Sequence, residues 1–249
     1  MALSLESQWT VIACGVMAHA DGVLDGEECD LLLAMIEGEA DGEEYSAWLS
    51  TISDRERLEE MLSQLAPPPQ SAHRDILETA WTLAVADGVR TSSEREALGR
   101  IATQLGVEEV QLEFWREAWT EGQSALAELV TDAGCIVLAG EAPLNSEART
   151  TIRALSRAVP TTDAHREELV GATAIPKNAE DIGRRLRGIP KRRRQWVIKA
   201  LAGIPGKASR REDAQRRLAA IGASAGLSAQ TLAALLGSES VLRELLAET

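Results

Sequence analysis

Ala20-Asp21-Gly22-Val23 and Ala86-Asp87-Gly88-Val89 are one phrase written twice, 66 residues apart, each with a glutamate seven residues after its aspartate (Glu28 and Glu94). Apolar residues flank each phrase at helical spacing. Val11, Ile12, Val16 and Ala20 make a stripe before the first, and Leu31, Leu32, Met35 and Ile36 make one after it. The segment from Ile76 to Ala86 repeats the first stripe; Leu98, Ile101, Ala102 and Leu105 repeat the second. Each phrase therefore reads as the corner of a helix–turn–helix unit. Pro67-Pro68-Pro69 cannot sit in a helix interior and separates the two units. Asp41-Gly42-Glu43-Glu44 opens a further helix between them.

Composition points the same way. With 249 residues and 45% apolar content the chain can fill a sizeable core. Having one Phe, one Tyr and six Trp, it must build that core mainly from Ala and Leu, whose small, smooth surfaces suit close helix packing. β-branched residues are scarce and strong helix formers dominate, so an all-α fold is expected. No apolar run reaches the length of a membrane span, and the start of the chain lacks the basic-then-apolar pattern of a signal peptide, so the expected location is cytoplasmic. Cys14, Cys29 and Cys135 are odd in number, contain no Cys-x-x-Cys and read as small buried hydrophobes.

The similarity continues past residue 125. A shift of about 120 lays Leu98, Ile101, Gly106-Val107 and Leu112 on Leu218, Ile221, Gly226-Leu227 and Leu232. The same shift puts Lys207 where Asp87 stands. A shift of 119 puts Gly140, in Ala139-Gly140-Glu141-Ala142-Pro143, where Asp21 stands, with Glu147 seven residues on. The expected architecture is two tandem pseudo-symmetric helical domains, 1–122 and 123–249, each built from two helix–turn–helix half-units. The first keeps its acids and the second has lost them. A corner that forms without its aspartate argues that Asp21 and Asp87 do more than hold a turn.

Two readings of the corners compete. In the first they only join helices: Gly22 and Gly88 supply a positive φ, while Asp25 and Thr91 cap the next helix, with Glu28 and Glu94 completing capping boxes. In the second, the corners converge about a pseudo-twofold axis, and Asp21, Glu28, Asp87 and Glu94 gather at one site. Clustered carboxylates repel unless protonated or bridged, and their hard oxygens suit Ca²⁺, Mg²⁺ or Mn²⁺. Asp25 and Glu27 could add ligands, and His19 lies two residues before Asp21. The loop lacks the alternating acids of an EF-hand.

The pattern Ala-x-Ala-Asp-Gly-x(5)-Glu followed by an amphipathic helix, present twice, resembles the TerB-like (tellurite resistance protein B) family over roughly residues 5–120. The resemblance implies an all-helical, pseudo-symmetric, non-catalytic domain with an acidic patch that binds divalent metal. Carried over residue by residue, that patch is Asp21, Glu28, Asp87 and Glu94. It also implies work within a stress-response or signalling assembly. The superfamily includes a domain of certain membrane-anchored J-domain co-chaperones, but this chain has no His-Pro-Asp triplet to carry that role.

Charge is divided unevenly. Residues 1–125 carry 25 acids against 7 arginines, or −18; residues 126–249 carry 14 acids against 19 Lys or Arg, or +5. The basic character peaks in 184–199, which holds eight cations and no acid. Pro190 reads as the first residue of a helix whose apolar face is Trp196, Val197, Ala200 and Leu201. Lys191, Arg192, Arg193 and Arg194 then crowd its first turn, where the helix dipole disfavours cations. With Arg184, Arg185 and Arg187 they form a candidate partner-binding surface. The partner expected first is the acidic domain or another protein; an anionic membrane surface or nucleic acid stays as the lesser alternative, nucleic acid because the −18 domain repels phosphate. An alternative to metal binding follows: an adaptor whose acidic and basic domains dock on each other or on protein partners. No Gly-rich phosphate loop, catalytic Ser-His-Asp or Cys-His frame, or zinc spacing is present, so no enzyme is expected.

Overall fold

The computed structural model describes residues 3–22, 24, 26–37, 40–140, 142–172, 178–204 and 208–236. Among the described residues the chain forms thirteen α-helices and no strand. They are α1 (Leu5–Ala18), α2 (Gly26–Glu37), α3 (Gly42–Ile52), α4 (Arg55–Gln64), α5 (Gln70–Leu83), α6 (Ser92–Gln104) and α7 (Glu109–Ala139). There follow α8 (Ser146–Ser156), α9 (Asp163–Ala172), α10 (Ala179–Arg187), α11 (Lys191–Ala202), α12 (Ala208–Ser224) and α13 (Ala229–Leu236). The all-α class read from composition is the observed one.

Packing divides the chain into two units. The first runs to Gly122 and takes in Pro160–Asp163; the second holds Gln123–Val159 and the described residues from Ala164 onward. The tetrapeptide Pro160–Asp163 thus packs with the first unit although it lies well past residue 122.

Helix α1 lies at the centre of the first unit, with every residue from Val11 to Ala18 buried. It starts where Ser4 Oγ accepts the N–H of Ser7, and it packs against α2, α4, α5 and α6. Gly15 lets α4 approach closely: a Cβ there would meet the Leu58 methyls at 2.9 Å. The triple proline joins α4 to α5 as read, with Pro69 at the N-cap of α5. Trp9 Nε1 fastens this connection to α1 by donating to Ala66 O at 2.7 Å. α3 opens after Asp41, as the sequence suggests, but that N-cap makes no side-chain capping bond.

In the second unit Ala, Leu, Ile and Val from α7, α10, α11, α12 and α13 form the core. Glycines set the closest approaches: Gly134 of α7 faces Ile152 of α8, Gly183 of α10 faces Ser224, and Gly222 of α12 faces Leu232. Two helix ends match residue for residue at a shift of 120. Val107 N–H reaches Ala102 O across the left-handed Gly106, and Leu227 N–H reaches Gly222 O across the left-handed Gly226. Both are Schellman-type ends.

The basic helix differs in detail from its sequence reading. Pro190 is the N-cap and Lys191 the first helical residue of α11. Its buried face is Val197, Ile198 and Leu201, while Trp196 stays exposed. Ile198 is the inward residue because the true stripe runs one position further round the helix than Trp196.

Candidate functional site: the acid corners of the first unit

The two corners share a backbone. Ala20 N–H donates to Met17 O and Gly22 N–H to His19 O; Ala86 N–H donates to Leu83 O and Gly88 N–H to Val85 O. Every partner is offset by 66 residues. Gly22 and Gly88 have φ of 95° and 89°, a region that an L side chain enters only at a cost. Burial repeats as well: Asp21 and Asp87 are exposed, whereas Glu28 and Glu94 are 6% and 5% exposed.

At the second corner each acid has a local task. Asp87 Oδ1 accepts the Val89 N–H at 2.8 Å and closes the turn. Thr91 caps α6 by accepting the Glu94 N–H, and Glu94 Oε2 accepts the N–H and hydroxyl of Thr91 at 2.6 and 3.0 Å. That is the complete capping box foreseen in the sequence. At the first corner Asp25 and the side chain of Glu27 lie outside the described residues, so the matching cap is not described.

Glu94 is influenced electrostatically by both corners. Burial raises the Glu94 carboxyl above the usual carboxylate range; the Thr91 hydrogen bonds pull it back, and Asp87 and then Asp21 push it up again. Asp21 belongs to the other corner, so three of the four predicted acids share one field. Beside them sits Arg90, stacked over the Trp81 ring at 4.3 Å. Burial lowers its guanidinium to about 10, opposed by Glu94 and reinforced by Arg116. Among the described residues no three His, Cys, Asp or Glu side chains are grouped closely enough to hold a metal ion.

Asp163 is a participant that sequence reading missed. Its N–H donates to Gly88 O at 2.8 Å, and its carboxylate covers the glycine so closely that a Cβ on Gly88 would lie 2.5 Å from it. Among the described residues nothing lies within 4 Å of the equivalent point at Gly22. No local pattern marks Asp163, which arrives 75 residues after Gly88.

The corner of the second unit is built differently. Gly140 itself is the left-handed residue, with φ of 60°, and caps α7 directly. Asn145 caps α8 through the Ala148 N–H, five residues after Gly140, whereas Thr91 follows Gly88 by three. The longer loop leaves Glu147 exposed, ahead of the position that Glu94 occupies in its own cap. Arg217 from α12 supplies the closure, donating to Val137 O at 3.1 Å with its guanidinium against Gly140. The chain does turn at Gly140 without an aspartate there, and Arg217 packs against the turn. Lys207, aligned with Asp87, lies outside the described residues.

Most of the described basic side chains are engaged within the second unit. Arg185 bridges Asp132 (2.7 Å) and Glu128 (3.3 Å) of α7. Arg187 and Arg194 donate to Ser224 O and Ala225 O at 2.6 and 2.8 Å, closing the C-terminal end of α12. Arg184 pairs along its own helix with Asp181 and Glu180. Lys191 and Arg193 are exposed, and the side chain of Arg192 is not described.

An all-helical domain with paired acid corners is what fold and site define. Residues 7–117 match the family model described as Tellurite resistance protein TerB, so the first unit is a TerB-like domain. No curated protein and no solved structure matches the chain significantly. No described helix is long and apolar enough to cross a membrane.

Proposed function

We propose that the first domain is a non-catalytic TerB-like module that takes up a divalent cation, Ca²⁺, Mg²⁺ or Mn²⁺, between its acid corners, and that the chain serves a stress-response or signalling assembly. The field that Asp21 and Asp87 together impose on Glu94 carries this reading. A cation there would supply charge neutralisation. Hydrogen bonds from Val89 and Thr91 engage one oxygen each of Asp87 and Glu94, and in this reading the other oxygen of each carboxylate would serve the cation. Since the described acids form no ready ligand group, uptake must draw the corners together. The ligands in this reading are Asp21, Glu28, Asp87 and Glu94. The second domain is a duplicated copy of the first without the acids, a reading supported by the matching ends at Gly106 and Gly226. Titration with each metal while following Tm tests the site. A rise at millimolar metal, lost in Asp21→Asn/Asp87→Asn, is expected. No shift, or an equal shift in the variant, refutes it.

The adaptor reading is favoured by one observation: the capping box and the Asp87 turn already give these acids a structural use. In it the acidic and basic domains dock on each other or on a protein, with no metal. Expressing 1–122 and 123–249 separately checks the internal version, which requires association that weakens with salt.

A further inference from the structure

We propose that the N-terminal part of α7 is a docking face for a basic amphipathic helix of another protein. Val110 and Phe114 are 83% and 69% exposed, the two most exposed large apolar side chains among the described residues. They stand one turn apart on one helix face, and Ala118 extends the stripe by another turn, also exposed. Phe114 is the only phenylalanine in a chain whose other large apolar residues mostly fill two cores. Leaving it in water has no packing reason within the first unit.

Charge selects the occupant. Glu109, Glu117 and Glu121 run beside the stripe, all exposed. Between them Glu113 is neutralised by Arg116. Glu117 and Glu121, four apart, repel each other along α7, a cost that a covering cation would remove. A second copy of the chain would bring the same acids face to face across a twofold contact and be repelled. An anionic lipid or nucleic acid is repelled for the same reason. A helix with apolar anchors one turn apart and Lys or Arg beside them satisfies both halves of the face.

The probe is a fluorophore-labelled amphipathic peptide of leucine and lysine, titrated with the full chain. Val110→Ala/Phe114→Ala keeps a good helix former at exposed positions, so the fold is retained, as circular dichroism will verify. The expected result is a Kd about tenfold or more weaker in this variant. Glu109→Gln/Glu117→Gln/Glu121→Gln should weaken binding and flatten its salt dependence. Unchanged affinity in the apolar variant overturns the proposal, as does equal binding of a glycine–lysine peptide of the same charge. So does sedimentation showing a dimer of this chain that Val110→Ala/Phe114→Ala dissolves.

Discussion

Glu94 holds two opposed assignments in one side chain. Its carboxylate completes the cap of α6, yet burial and the charges of Asp87 and Asp21 favour the neutral acid. Because the folded pKa lies above the unfolded one, the folded state binds more protons between those two values. Stability should therefore fall as pH rises from the ordinary glutamate value through the raised one, and level off above it. Glu94→Gln keeps an acceptor for Thr91 and removes the charge, so its Tm at neutral pH should equal or exceed that of the parent, with this part of the pH slope gone. Glu94→Ala loses the reciprocal cap and should cost about 1 kcal/mol in denaturant melts. The glycines of the two corners make a second comparison. Gly22→Ala meets only the left-handed backbone penalty, about 1–2 kcal/mol. Gly88→Ala meets that penalty plus the Asp163 carboxylate at 2.5 Å, and should be the more damaging change.

Among helices, those announced by punctuation were legible. The corner glycines, the triple proline, Thr91 and Gly106 each act within a few residues of themselves, so the sequence alone places the elements they bound. Where a helix face is chosen by tertiary packing, the pattern misleads. Trp196 looks like the anchor of α11, but Ile198 joins Val197 and Leu201 in the core of the second unit, to which α12 and α13, packed against α11, also contribute. The arginines of this region also found partners no spacing could announce. Arg187 and Arg194 place positive charge on the carbonyl end of α12, where the helix dipole is negative. Replacing both by Met should lower stability by about 1 kcal/mol in all, discounted for their partial exposure, and thermal melts at low and high salt will measure it.

For the molecule as a whole, charge and repeat spacing both change near residue 122, whereas nothing in the sequence marks Pro160–Asp163, which pack with the first unit. That packing is a contact of long sequence separation made by an ordinary Thr-Thr-Asp step, and nothing local encodes it. It gives a separable prediction. In a fragment ending at Gly122 the Asp163 carboxylate is absent, so Gly88→Ala should cost no more there than Gly22→Ala, whereas in the full chain the two differ. Equal penalties in both contexts would show that Asp163 does not bear on the corner. At the acid corners the repeat spacing marks the backbone turns and the capping box, which are local. How near the two corners come depends on how α1, α5 and α6 pack, and the described acids form no group of three.

Arg217 has a consequence for the order in which the second unit can assemble. Once a side chain from α12 grips Val137 and lies on Gly140, the loop that follows no longer has to hold itself shut. The loop after Gly140 runs two residues longer to its cap than the loop after Gly88. Its closure depends on a residue 80 positions from Val137, so it can form only once α12 has docked, whereas Asp87 closes its own turn two residues away.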